Sequence, residues 1–147
     1  MKNWQHIVTD SYAHAASEVL LSLKTGDNKE AEEGLSEMLL HFQMDEKKAL
    51  ISQLTRLMAH IIKWKVQPQK ISKSWYESIM DARIQIEVIC EDTPSLNRDY
   101  ISLIWERAFV RAINWVKKDT GLEKVSVSGL MWEEVFENNY FKEKFDY

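Results

Sequence analysis

Apolar residues recur along this chain at steps of three and four, the spacing that gathers them on one side of a helix. From Trp4 they continue at Ile7, Val8, Ala15, Ala16, Val19, Leu20 and Leu23, predicting one helix that Gly26-Asp27-Asn28 ends. Leu35, Met38, Leu39 and Phe42 carry a second helical pattern, and Leu50, Leu54, Leu57, Met58, Ile61 and Ile62 a third. The phase passes Asp45 almost unbroken, which fits one long helix as well as a pair split at an Asp45 cap. Pro68 stops this stretch, because it lacks an N–H and disfavours helical geometry at Gln67.

Ser74-Trp75-Tyr76-Glu77 has the spacing of a capping box, in which serine and glutamate satisfy each other's free backbone N–H groups. Trp75, Ile79, Ala82, Ile86 and Ile89 then follow close to a heptad seam. Thr93-Pro94 pairs an N-cap with proline at the first helical position, predicting a helix through Leu96, Tyr100, Ile104, Trp105, Ala108, Ala112, Trp115 and Val116 that stops at Gly121. Val125-Ser126-Val127-Ser128 alternates as an extended segment does, and a short helix near Met131 to Phe136 leads into NNYFKEKFDY. The expected fold is all-α, one domain of five or six helices in an irregular up-and-down bundle.

Composition narrows this further. A chain of 147 residues can bury one real core. Four Gly and two Pro are too few for the frequent turns of an all-β protein. The single cysteine, Cys90, allows no internal disulfide and suits a reducing compartment. MKNWQHIVTD lacks the charged and apolar regions of a signal peptide, and no apolar run is long enough to span a bilayer, so a cytoplasmic protein is expected.

Charge is unevenly placed. Residues 47 to 76 hold Lys47, Lys48, Arg56, Lys63, Lys65, Lys70 and Lys73 with no acid, whereas residues 27 to 46 hold Asp27, Glu30, Glu32, Glu33, Glu37, Asp45 and Glu46 against Lys29 alone. Such asymmetry gives a protein a face for cationic partners and another for anionic ones, unless adjacent helices neutralise each other.

The blocks His60-Ile61-Ile62-Lys63-Trp64, Gln67-Pro68, Ser74-Trp75, Pro94-Ser95-Leu96 and Thr120-Gly121-Leu122 fall in one order and spacing. In these the stretch from about Glu30 to Leu122 resembles the bacterial helical family known as domain of unknown function twenty-nine. The resemblance implies an all-helical bundle and supplies no activity. Members of that family carry a cluster of glutamates before the His-Trp block, where this chain reads Glu37-Met38-Leu39-Leu40-His41-Phe42 and keeps one acid. A metal or acid–base role for that cluster is therefore not expected here.

Candidate chemistry is thin. His60 with Lys63, Lys65, Lys70, Lys73 and Arg83 could bind an anion, the imidazole supplying a proton, yet no titratable orienter lies at a helical offset from it. Glu37 with His41, and the row His6, Asp10 and His14, offer too few ligands for a metal, and no HExxH or Cys pair completes a site. Neither a metal nor a cofactor is expected. Cys90 reads as a buried thiol beside Ile89, and no GxSxG, GxxxxGK or GxGxxG occurs. Lys63, Lys65, Lys70 and Lys73 interleaved with Trp64 and Trp75 would suit nucleic acid, but a pI near 5.6 argues against a dedicated binder.

At the C-terminus Trp132, Phe136, Tyr140, Phe141, Phe145 and Tyr147 stand among Glu133, Glu134, Glu137, Glu143 and Asp146, either as anchors for a partner or as a plug folded back on the bundle. The expectation is a non-enzymatic protein that masks a basic protein partner, such as an immunity or antitoxin protein capping a toxic nuclease. Its contact residues would be Asp27, Glu30, Glu32, Glu33, Glu37, Trp132, Glu133, Glu134, Glu137, Tyr140 and Phe141. The alternative is an RNA- or anion-binding or hydrolytic module centred on His60.

Overall fold

A computed structural model describes residues 2–140 and is all-α among them, with six α-helices and no strand. By backbone contacts the chain divides into two compact units, residues 1–47 and 48–147. The first contains α1 (Trp4–Asp10), α2 (Tyr12–Lys24) and the start of α3 (Asn28–Val66); the second contains the rest of α3, α4 (Lys73–Asp92), α5 (Arg98–Thr120) and α6 (Trp132–Phe136).

The helix expected from Trp4 to Leu23 is two. Ser11 sits between them with extended backbone, closing α1 through its N–H to the Ile7 carbonyl and capping α2 by accepting the His14 N–H at 3.2 Å. The break lets Trp4 and Val8 on α1 reach the same small core as Ala15 and Val19 on α2 and Ala31 and Met38 on α3. Between α2 and α3 the chain reverses at Gly26, whose φ of +81° suits glycine. The Gly26 N–H returns to the Leu23 carbonyl and the Asp27 N–H to that of Ser22. At Gly34 α3 leaves no room for a side chain, since a Cβ there would lie 2.7 Å from the Trp4 ring and from Val19 Cγ2.

Asp45 turns out not to split the long pattern, and α3 runs unbroken for 39 residues. In the second unit Leu50, Leu54, Leu57, Met58, Ile61 and Ile62 of α3 are fully or almost fully buried. They pack with Ile79, Ala82 and Ile86 of α4 and Ile101, Ile104, Ala108, Ala112 and Val116 of α5, the three- and four-residue seams the sequence predicts. Thr55 of α3 is buried in this unit with its hydroxyl unpaired among the described residues.

Two helix starts differ from expectation. Ser72 caps α4, accepting the Trp75 N–H at 3.3 Å, so Ser74 lies inside the helix and the expected box with Glu77 is not used. Thr93-Pro94 forms a turn closed by the Leu96 N–H on the Thr93 carbonyl, and Asn97 caps α5 through the Tyr100 N–H. Burial decides that contest, because the turn seats Leu96 in the core before the helix begins. Gly121 ends α5 in the left-handed region, as predicted. Val125 and Val127 then pack on the core while Ser126 and Ser128 are exposed, an alternation that forms no strand pair.

Candidate functional site

The net charge resides almost wholly in the first unit. Residues 1–47 carry nine acids against four lysines, and residues 48–147 fourteen acids against fifteen lysines and arginines. Several predicted contact acids there have local work. Asp27 caps α3 through the Glu30 N–H, Glu30 accepts the Trp4 indole N–H at 2.8 Å, and Glu37 meets His41 at 3.2 Å. Glu32 and Glu33 stand exposed on α3.

Beside them lies a feature the sequence reading assigned to the core. Leu20 and Leu23 on α2, and Leu35, Leu39 and Phe42 on α3, all face water, Leu39 with 58% of its surface accessible. Glu32, Leu35, Leu39, Phe42 and Glu46 follow at steps of three, four, three and four, so they share one helix face, with an acid at each end of the apolar row. On α2 the face that carries Tyr12 also carries Ala16, Leu20 and Leu23. Tyr12 joins the two faces: its ring lies 4.5 Å from that of Phe42, and its hydroxyl donates to Asp45. The Tyr12–Phe42 contact brings the two exposed apolar faces together within the unit, and the α3 row has an acid at each end. The 32-35-39-42-46 spacing was legible in the sequence, but the steps that mark a buried face mark an exposed one equally well.

The predicted C-terminal contacts are held within the second unit as far as they are described. Trp132 stacks on Trp105 at 5.7 Å and lies under the Arg98 guanidinium, whose carbon is 4.2 Å from the ring centroid. Val135 and Phe136 pack on the core. Tyr140 meets Trp64 edge-on and donates to the Glu134 carbonyl at 2.6 Å. Burial, with Glu134 nearby, pushes its phenol up to about 12. Glu134 itself pairs with Lys65 and accepts the Met131 N–H. Burial raises its carboxyl, but those bonds outweigh it and leave the group below its ordinary range. Glu133 and Glu137 are exposed. Phe141 lies outside the described residues, as do Glu143, Phe145, Asp146 and Tyr147.

The second predicted cluster does not converge. Arg83 donates to the carbonyls of Val135 and Glu134 and lies over the Tyr140 ring, tying α4 to α6. Lys65 is taken by Glu134, while Lys70 and Lys73 are exposed. Lys63 is only 5% exposed; its ammonium pairs with Asp119 of α5 and lies 5.8 Å from the Trp75 ring centroid. His60 hydrogen-bonds the Arg56 carbonyl through Nδ1 at 2.9 Å and meets Trp115 edge-on at 6.0 Å. Burial lowers its pKa, with Lys63 and Arg56 adding to the effect, so the ring is neutral at pH 7. Asp119, more than fifty residues away along the chain, was invisible to any reading of helical offsets.

Among the described residues no three His, Cys, Asp or Glu side chains gather as metal ligands. The row His6, Asp10 and His14 is interrupted at Ser11, and His14 pairs with Glu18 instead. Burial raises the Cys90 thiol, the opposite of an activated thiolate. No helix among the described residues is long and apolar enough to cross a membrane.

A family model described as "Domain of unknown function DUF29" matches residues 8–141, beyond the expected span of 30 to 122 at both ends. Neither a curated protein nor a solved structure matches the chain.

Proposed function

The chain belongs to the DUF29 family, a domain of unknown function, and from that premise we propose that it is a binding protein whose first unit docks a basic protein partner. One observation carries the reading: apolar faces on α2 (Leu20 and Leu23) and α3 (Leu35, Leu39 and Phe42) are uncovered, the α3 row bounded by Glu32 and Glu46, in the unit that holds the net negative charge. An apolar centre with an acidic margin is what an interface with an amphipathic, lysine- or arginine-rimmed surface requires. Charge also disfavours a second copy as the occupant, because each unit would bring the same excess of acid to the contact. The contact set moves accordingly. Glu32 and Glu33 stay in it, Asp27, Glu30 and Glu37 support it from local bonds, and the α6 aromatics serve the second unit.

The test is comparative capture from the source cell with the full chain and with Leu35→Asp/Leu39→Asp, whose side chains are exposed and whose helical spectrum should match the parent. The account expects a basic protein that the parent retains and the variant does not, and that rebinds the parent once purified. An acidic captured protein, or equal retention by the variant, would contradict it. The narrower form, in which the partner is a toxic nuclease, requires that binding abolish the purified partner's nuclease activity.

A further inference from the structure

On α5, Arg111, Asn114, Trp115, Lys118 and Asp119 line an open depression of about 800 Å³, at steps that place them on one helix face. Trp115 is 37% exposed, unusual for an indole, and is braced from behind by the edge-on His60 ring. Its N–H has no hydrogen-bond partner among the described residues, and neither Arg111 nor Lys118 has an ion-pair partner there. The one acid in the depression, Asp119, is engaged by Lys63 from α3. What remains available is a flat aromatic surface with a cation one helical turn to either side, an indole donor and the Asn114 amide.

We propose that this depression is a nucleotide site: the base stacks on Trp115 while the phosphate meets Arg111 or Lys118. Each half explains a feature the other leaves unused. A simple anion has no need of an exposed indole, and an apolar ligand has no need of two unpaired cations. Base and phosphate together could come from a free nucleotide or from a single-stranded nucleic acid. One exposed indole between two cations offers contacts to one base and one phosphate, which favours the free nucleotide over a strand that would need several such platforms in a row. This site lies wholly in the second unit and does not depend on the partner-binding reading.

Calorimetric titration of the full chain with AMP, adenosine, inorganic phosphate and a single-stranded octanucleotide tests it. AMP should bind at least tenfold more tightly than adenosine or phosphate. Trp115→Leu should remove that advantage while Trp115→Phe keeps most of it, and Arg111→Gln/Lys118→Gln should bring AMP down to the level of adenosine. All three side chains replaced are exposed, and unchanged helical spectra would show that folding is intact. AMP binding no tighter than phosphate, or indifferent to Trp115→Leu, would overturn the proposal. An octanucleotide that binds tenfold more tightly than AMP would overturn the choice of a free nucleotide.

Discussion

Removing either partner of the Lys63–Asp119 pair should have unequal consequences, because the two groups are unequally buried. The Lys63 side chain is 7% exposed and that of Asp119 52%. Asp119→Asn leaves an ammonium inside the second unit with its counter-charge gone; a fully buried stranded charge costs about 3–5 kcal/mol. Water reaches the vacated side and the asparagine oxygen still accepts a hydrogen bond, so about 1–3 kcal/mol is expected. Lys63→Met keeps the stem's volume beside Trp75 and removes the buried charge, leaving only an exposed carboxylate behind. It should fall within about 1 kcal/mol of the parent. Urea unfolding at pH 7, followed by tryptophan emission and by helical signal, measures both. A Lys63→Met variant destabilised by more than its Asp119→Asn counterpart would refute the reasoning, since it would mean that the ammonium contributes something other than a partnered charge.

Other perturbations separate packing from charge. Gly34→Ala would ordinarily strengthen a helix, but here the new methyl meets Trp4 and Val19 at 2.7 Å; it should destabilise the first unit by about 1–3 kcal/mol in thermal unfolding, and a stabilised variant would show that the helices are not so close. Thr55→Val replaces an unpaired buried hydroxyl with a methyl and should raise stability by about 1 kcal/mol in the same urea assay; destabilisation would mean the hydroxyl has a partner. His60 has its pKa lowered by burial, so the unfolded chain takes up its proton first: stability is unaffected well above pH of about 6.5 and falls as pH drops from there towards the lowered value. His60→Gln should flatten that part of the pH–stability curve, and an unchanged slope between pH 7 and 5 would contradict the assignment.

Helical periodicity gave the all-α class, the α3, α4 and α5 seams and the Gly121 stop, because each rests on burial repeated over several turns. The misses are local. Ser11 caps a helix where no break was expected, Ser72 takes the cap expected at Ser74, and Asn97 takes the one expected at Thr93, where burial of Leu96 in the preceding turn decides. Exposure was the harder miss. Leu20, Leu23, Leu35 and Leu39 fit the helical spacing of a core, and nothing along one chain says which apolar face of a short helical unit is covered. The Lys63–Asp119 pair and the Arg83 bonds to Val135 and Glu134 join residues more than fifty positions apart, beyond what spacing along one helix can reveal.

The central claim is that acid-bounded apolar surface in the first unit binds a basic protein. It is tested most directly by the affinity of the purified partner for Glu32→Lys/Glu33→Lys at low and moderate salt. The account predicts at least a tenfold loss at low salt that narrows as salt is added, while His60→Gln leaves affinity unchanged. Equal affinity for the parent and the charge-reversed variant across that range would contradict it.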